Sequence, residues 1–311
     1  MVSFTTQSKS QPNKPKNILS ASELKVFNER SDKNGLIQLS KHLGVMAISG
    51  YLWLTPDNWL VKIPALIIYG FSLAAMFAVV HECGHRTAFA NNRLNDIVAW
   101  WGGVLSGYNS TFYRRYHKWH HRYTRIEGKD PELEDPQPSN LFEYIAEISG
   151  YNWWLGKLKT HYRVATENLD NMPYIAENVG KEVINSTRLQ LAVYGVAIAF
   201  SIAARQPWFI TYWLIPLAVG QPILRFILLA EHTGCTKDNN RLANTRTTLT
   251  WFPLRMMMWN MPFHAEHHLY PSMPFYALPK AHQELKEHFE VVDNGYLKVN
   301  RNIIKNFNCI T

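Results

Sequence analysis

The apolar residues are gathered into long runs separated by very polar stretches. Leu36 to Leu54 is apolar apart from Lys41 and His42 near its start, and Thr55-Pro56-Asp57-Asn58 then breaks the run. Leu60 to Val80 follows, with Lys62 close enough to one end to reach water along its own alkyl stem. Leu189 to Ala204 and Trp208 to Ala230 form a second pair around the short turn Arg205-Gln206-Pro207. Each run approaches the roughly 20 residues that a helix needs to cross a bilayer. The pattern predicts an all-α membrane protein with four transmembrane helices in two hairpins, at about residues 36–54, 60–80, 189–204 and 208–230. Arg225 lies within the last run, where a charge is costly in lipid, so it faces the protein interior or sits near the membrane boundary.

Two shorter apolar patches interrupt the polar segment 81–188. Ile97 to Leu105 is too short to span, and Gly102-Gly103 weakens a helix there, so it reads as re-entrant or interfacial. Phe142 to Leu158, with Tyr151, Trp153 and Trp154, reads as a helix lying among headgroups. Ser20 or Ser22 is placed to cap a short helix reaching about Glu29. The rest of residues 1–35 is expected to be a polar, disordered tail without the apolar core of a signal peptide. The organisation expected is therefore a tail at 1–35, one membrane domain at 36–290 and a second tail at 291–311.

Charge supplies the orientation. With four spans, residues 81–188 and everything after 230 share one side, and that side carries most of the Lys and Arg. The positive-inside rule puts this side, a helical cap, in the cytosol. A net charge of +8 fits a membrane surface or an acidic protein partner. No nucleic-acid-binding motif accompanies it. Three irregularly spaced Cys argue against a disulfide framework, and Cys83 reads as a small packing residue.

The chemistry-bearing signal is histidine. On a helix His264, His267 and His268 stand at i, i+3 and i+4 and project from one face, and His117, His120 and His121 repeat that spacing. His81 and His85 form an i, i+4 pair. Three imidazoles on one face each need a donor and an acceptor when neutral and repel when charged, and a bound metal relieves both conditions.

H-E-C-G-H, H-K-W-H-H and H-A-E-H-H, spaced around two apolar hairpins, resemble the three histidine boxes of the membrane di-iron fatty-acyl desaturase and hydroxylase superfamily. The resemblance runs from about residue 40 to 290. It implies two iron ions held by His81, His85, His117, His120, His121, His264, His267 and His268. His232, after the last apolar run, stands where some members have a further ligand, and Asn260 where some have a water-mediated contact. Glu82, Glu231, Glu266 and the run from Asp130 to Asp135 are candidates to orient imidazole N–H groups, with Glu134 and Asp135 read as surface charge. His42, His161, His282 and His288 lack partners at ligand spacing and read as structural or surface residues. The pocket is expected to be long and apolar, with Met256, Met257, Met258 and Met261 as lining or core.

The implied activity is O₂-dependent removal of two hydrogens from a lipid or acyl chain, with hydroxylation as the alternative. H-P-G-G and Cys-cluster motifs are absent, so electrons are expected from a separate ferredoxin or a b-type cytochrome with its reductase. Arg114, Arg115, Lys118, Arg122 and Arg125 make a basic surface for such an acidic donor, or for anionic headgroups. Two rivals remain at this level. H-E-C-G-H also matches the H-E-x-x-H of a zinc protease, which leaves both H-x-x-H-H groups unexplained. A haem or metal-transport protein would carry its histidines within the spans.

Overall fold

The computed structural model describes residues 18–134 and 137–307, and within them the fold is almost wholly helical. Ser20 caps α1 (Ala21–Phe27) through a reciprocal capping box with Glu23. Next come α2 (Asp32–Leu54) and α3 (Trp59–Gly84), the latter capped by Asn58. Asn91 and Asn109 cap α4 (Asn92–Ser106) and α5 (Ser110–Tyr123), and Gly107, at φ 77°, makes the turn between them. Further on lie α6 (Leu141–Ile148), α7 (Tyr151–Ala165) and α8 (Glu177–Ala203). A π-helical stretch (Ile210–Leu214) leads into α9 (Ile215–His232). Four short helices, α10 (Phe252–Met257), α11 (His264–Leu269), α12 (Leu278–Leu285) and α13 (Tyr296–Lys305), complete the order. Strands β1 (Thr247–Leu249) and β2 (Val292–Asn294) pair in parallel.

Several boundaries differ from expectation for identifiable reasons. Ser31 caps α2 and starts it at Asp32, while α8 extends well before its apolar run. The aromatic patch is two helices, because Gly150 adopts φ 80° between α6 and α7. Ile97 to Leu105 lies inside α4, which packs along α3. The short helix expected after Ser20 is α1, but residues assigned to the tails also carry the start of α2 at one end and β2 and α13 at the other. Tyr296, Val299 and Ile303 of α13 enter the main core, and Asn300 Nδ2 donates to the Phe226 carbonyl at 3.0 Å while its Oδ1 accepts from Tyr144 at 2.9 Å. Residues 1–17 of the N-terminal tail and Asp135 lie outside the described residues.

Among the described residues three helices are long and apolar enough to cross a membrane: α3, α8 and the continuous segment Ile210–His232. The α2 helix is long enough but less apolar. Along the outside, Phe142, Leu155, Leu158 and Tyr162 of α6 and α7 are exposed, in keeping with a surface that rests on lipid.

The α3 and α9 helices touch backbone to backbone. A Cβ on Gly220 would lie 1.9 Å from the Gly70 carbonyl oxygen, and one on Gly70 would lie 2.2 Å from that of Pro216. This approach fixes the axial register of two helices whose far ends carry His81 and His232. Gly220→Ala is expected to force the pair apart and cost about 1–3 kcal/mol or more. A fall in the thermal unfolding midpoint in detergent checks this. Gly195→Ala, in a helix interior with open space around it, should not lower the midpoint.

Candidate metal centre

Nine histidines converge at one end of the bundle. His81 lies in the last turn of α3 and His85 caps that helix; His117, His120 and His121 lie on α5; His232 ends α9; and His264, His267 and His268 lie on α11. Thus α3, α5 and α9 all present imidazoles at their C-terminal ends, where the helix dipole favours positive charge.

The ring nitrogens fall into two adjacent groups. Those of His81, His85, His117, His121 and His267 lie within 4.8 Å of one another, and those of His120, His232 and His268 do likewise. His121 Nε2 is 3.0 Å from Nε2 of both His117 and His267. Two nitrogens bound at about 2.1 Å to one ion at right angles stand about 3 Å apart. His121 and His268 stack at 4.1 Å between ring centroids and join the groups. His264 stands beside the second group, 4.5 Å from His268 and 5.1 Å from His232 by ring centroid, with its Nε2 3.4 Å from Glu231 Oε2.

Every one of the nine imidazoles has at least one buried ring nitrogen without a hydrogen-bond partner. Leaving so many polar atoms unsatisfied costs about 1–3 kcal/mol each. Protonation is not the remedy. Burial, followed by mutual repulsion, holds His117, His121, His264, His267 and His268 well below the ordinary imidazole range, and His85 down to about 3. Neutral imidazoles with converging nitrogens are the donor set that a first-row transition metal takes. The residues fit a metal pair.

The acceptors sort themselves by distance. Asp130 Oδ1 meets His120 Nδ1 at 2.8 Å, while Asp130 also accepts from the backbone N–H groups of Arg125 and Glu132. Although burial opposes protonation of His120, the carboxylates of Glu132 and Asp130 raise its pKa. Glu82 accepts from Thr87 and the Phe275 N–H and stands 3.7 Å from His81 Nδ1. Glu266 turns away from the centre, to His282 and Thr247. Asn260, at φ 55°, directs its amide to the Phe275 carbonyl, with no imidazole contact among the described residues. Three supports escaped individual notice in the sequence: Glu132, 3.5 Å from His120 Nε2; Thr124, 3.2 Å from His268 Nδ1; and the Asn244 carbonyl, 3.2 Å from His232 Nδ1. The D-P-E order beside Asp130 was the only available signal for Glu132.

Two further expectations change. Arg125 is 2% exposed and donates to the carbonyls of Cys235 and Thr236, so it is part of the cap's interior rather than a basic surface. Arg114 and Arg115 are tied to Asp96 and Glu182, which leaves Lys118 and Arg122 exposed. His42 is structural: it bonds the Ser72 carbonyl and accepts from the Trp259 indole.

A cavity of about 650 Å³ opens onto the centre, reaching His81, His117 and His264. Its wall is mixed rather than apolar: Phe77, Phe112 and Met261 contribute, but so do Tyr108, Lys157 and Arg225. Met258 packs in the core instead.

Comparison with known sequences agrees with this arrangement. The model of the family described as Fatty acid desaturase matches residues 57–299. An sn-1 oleoyl-lipid 12-desaturase of Picosynechococcus sp. is 26% identical over 274 residues, covering 79% of this chain and 76% of its own length. A dihydrorhizobitoxine desaturase of Bradyrhizobium elkanii is 24% identical, covering 85% and 77%. An alkane 1-monooxygenase of Acinetobacter baylyi is 24% identical, covering 68% and 51%. The zinc-protease reading of H-E-C-G-H and the haem or transport reading fall away. The matched span holds all nine converging histidines, and the chain belongs to the fatty acid desaturase family of membrane oxidoreductases.

Proposed function

We propose that the protein is an O₂-dependent acyl-chain desaturase with two irons held by the nine histidines. The observation that carries this reading is the convergence of nine imidazoles, each with a buried, unpaired ring nitrogen, into two adjacent groups. His81, His85, His117, His121 and His267 would hold one ion. His120, His232 and His268, joined by His264, would hold the other. When bound, the irons supply the oxidising power of O₂ that an unactivated C–H bond requires. The protein's part is to orient ligands through Asp130, Glu231 and Thr124, and to keep the reacting chain dry against Phe77 and Tyr113.

Overall, removing two hydrogens while reducing O₂ to two waters consumes two further electrons and two protons. That balance calls for a separate donor, a ferredoxin or a b-type cytochrome. Hydroxylation is the second reading, favoured by the similarity to an alkane 1-monooxygenase.

We also propose four membrane passes. The start of α2 lies at the histidine end, where Asp32 accepts from the Asn91 N–H at 2.9 Å. Its other end lies at the opposite side, where the Trp53 indole donates to the Thr211 carbonyl at 3.1 Å. It therefore runs beside α3 across the same thickness, and an even number of passes leaves the basic histidine side in the cytosol.

Iron and zinc content of detergent-purified protein tests the proposal. About two irons per chain, falling in a His264→Ala, His268→Ala variant, is the expected result, with an unsaturated product in mass spectra of lipid extracts. One zinc, unaffected by that variant, would overturn it. Asp130→Asn should weaken binding of the iron beside His120 by about 10–100-fold, measured by chelator competition. Reversing charge with Lys118→Glu and Arg122→Glu should slow turnover by the acidic donor and spare membrane insertion, and unchanged donor kinetics would remove this face from the docking reading.

A further inference from the structure

Resting on the reading above, we infer that the substrate enters as a free carboxylic acid, its ionised carboxylate held by Arg225 and Tyr108. Arg225 lies in a helix apolar enough to span a membrane, where a cation is expensive and persists only for a purpose. It faces the cavity that reaches the histidines. Among the described residues no carboxylate lies within ion-pair distance of it. Its Nη2 donates to the Tyr108 hydroxyl at 2.9 Å, its guanidinium sits 6.0 Å from the centre of the Trp153 ring, and its Nε is buried without a partner.

The Tyr108 hydroxyl is the second, independent pointer. Tyr108 is 5% exposed and lines the same cavity. Its oxygen accepts from both Arg225 and the Trp153 indole, the latter at 2.9 Å. A phenol has two lone pairs and one hydrogen. Both lone pairs are used here, and among the described residues the hydrogen has no acceptor. Two hydrogen-bond donors, the Tyr108 O–H and the Arg225 Nε–H, therefore remain to be matched at one wall of the cavity, and Lys157 Nζ lies 3.8 Å from the centre of the Tyr108 ring. The shape and charge suit a carboxylate, which a guanidinium edge takes by two parallel bonds.

The nearest acidic groups in the cavity make their direct contacts to imidazoles, Asp130 and Glu132 with His120 and Glu231 with His264, so Glu132 and Glu231 attract Arg225 only through space and none pairs with it. Distance fits one molecule touching both ends. The Tyr113 ring stacks on His117 at 5.0 Å and lies 5.7 Å from Tyr108, so one aromatic ring separates the anion corner from the ligands. An ester or thioester, lacking the charge, would leave Arg225 without a directly paired anion.

Calorimetric titration of the full chain in detergent with octanoate, 1-octanol and octyl phosphate tests this, with iron content measured on the same samples. Octanoate is expected to bind at least ten-fold more tightly than octanol. Arg225→Gln should lose at least ten-fold for octanoate and leave octanol unchanged. If that variant fails to fold, Tyr108→Phe, which keeps the ring packing, should lose roughly three- to ten-fold for octanoate alone. Equal binding of octanoate and octanol, or octanoate affinity untouched by Tyr108→Phe, overturns the inference. A preference for octyl phosphate over octanoate overturns it in favour of a phosphate headgroup. Loss of the carboxylate preference with two irons present defeats this inference alone, whereas a retained preference in protein that binds no iron defeats the metal reading instead.

Discussion

Nine imidazoles share one largely desolvated volume and cannot satisfy all of one another's nitrogens, and the rest of the structure is arranged around that constraint. A folded chain that gathered them for packing alone would carry a large polar penalty. The helix ends, the Asp130 loop and the Thr247–Glu266–His282 links hold the rings in place against it. Metal affinity and fold stability are accordingly one free energy viewed from two sides. What resists collapse of the cluster is the same scaffold that keeps its nitrogens aimed at common points.

The scaffold divides its work. The Gly70–Gly220 contact sets the heights of His81 and His232, the Asn109 cap sets the start of α5, and the turn through Trp259 and Asn260, both at positive φ, swings α11 across the ends of the longer helices. Only short segments separate the histidines of α11 from the strand pair and α12, so this six-residue helix is positioned by tertiary bonds rather than by its own length.

Much of this was legible before any coordinates. Spacing of three and four residues named a common face for each histidine triple, and apolar runs marked the long helices, because both signals are local. What escaped was everything that depends on a partner far along the chain. Arg125 and Glu266 sit among ligands in sequence, and periodicity cannot say that one is drawn inward by the Cys235 carbonyl and the other outward by His282. The polar residues after 291 look like a tail because α13 shows only a narrow apolar stripe, Tyr296, Val299 and Ile303, whose purpose appears when α9 is beside it. Arg225 was conspicuous as a misfit, but its partner Tyr108 lies more than a hundred residues earlier.

The Asn300 bridge has a bearing on how the protein is made. Asn300 ties α9, through Phe226, to α6, through Tyr144, and it follows every converging histidine in the order of synthesis. A nascent chain therefore carries all nine imidazoles before this clasp can form. The bond that locks these two helices together is thus among the last the growing chain can make, after every converging histidine has been synthesised.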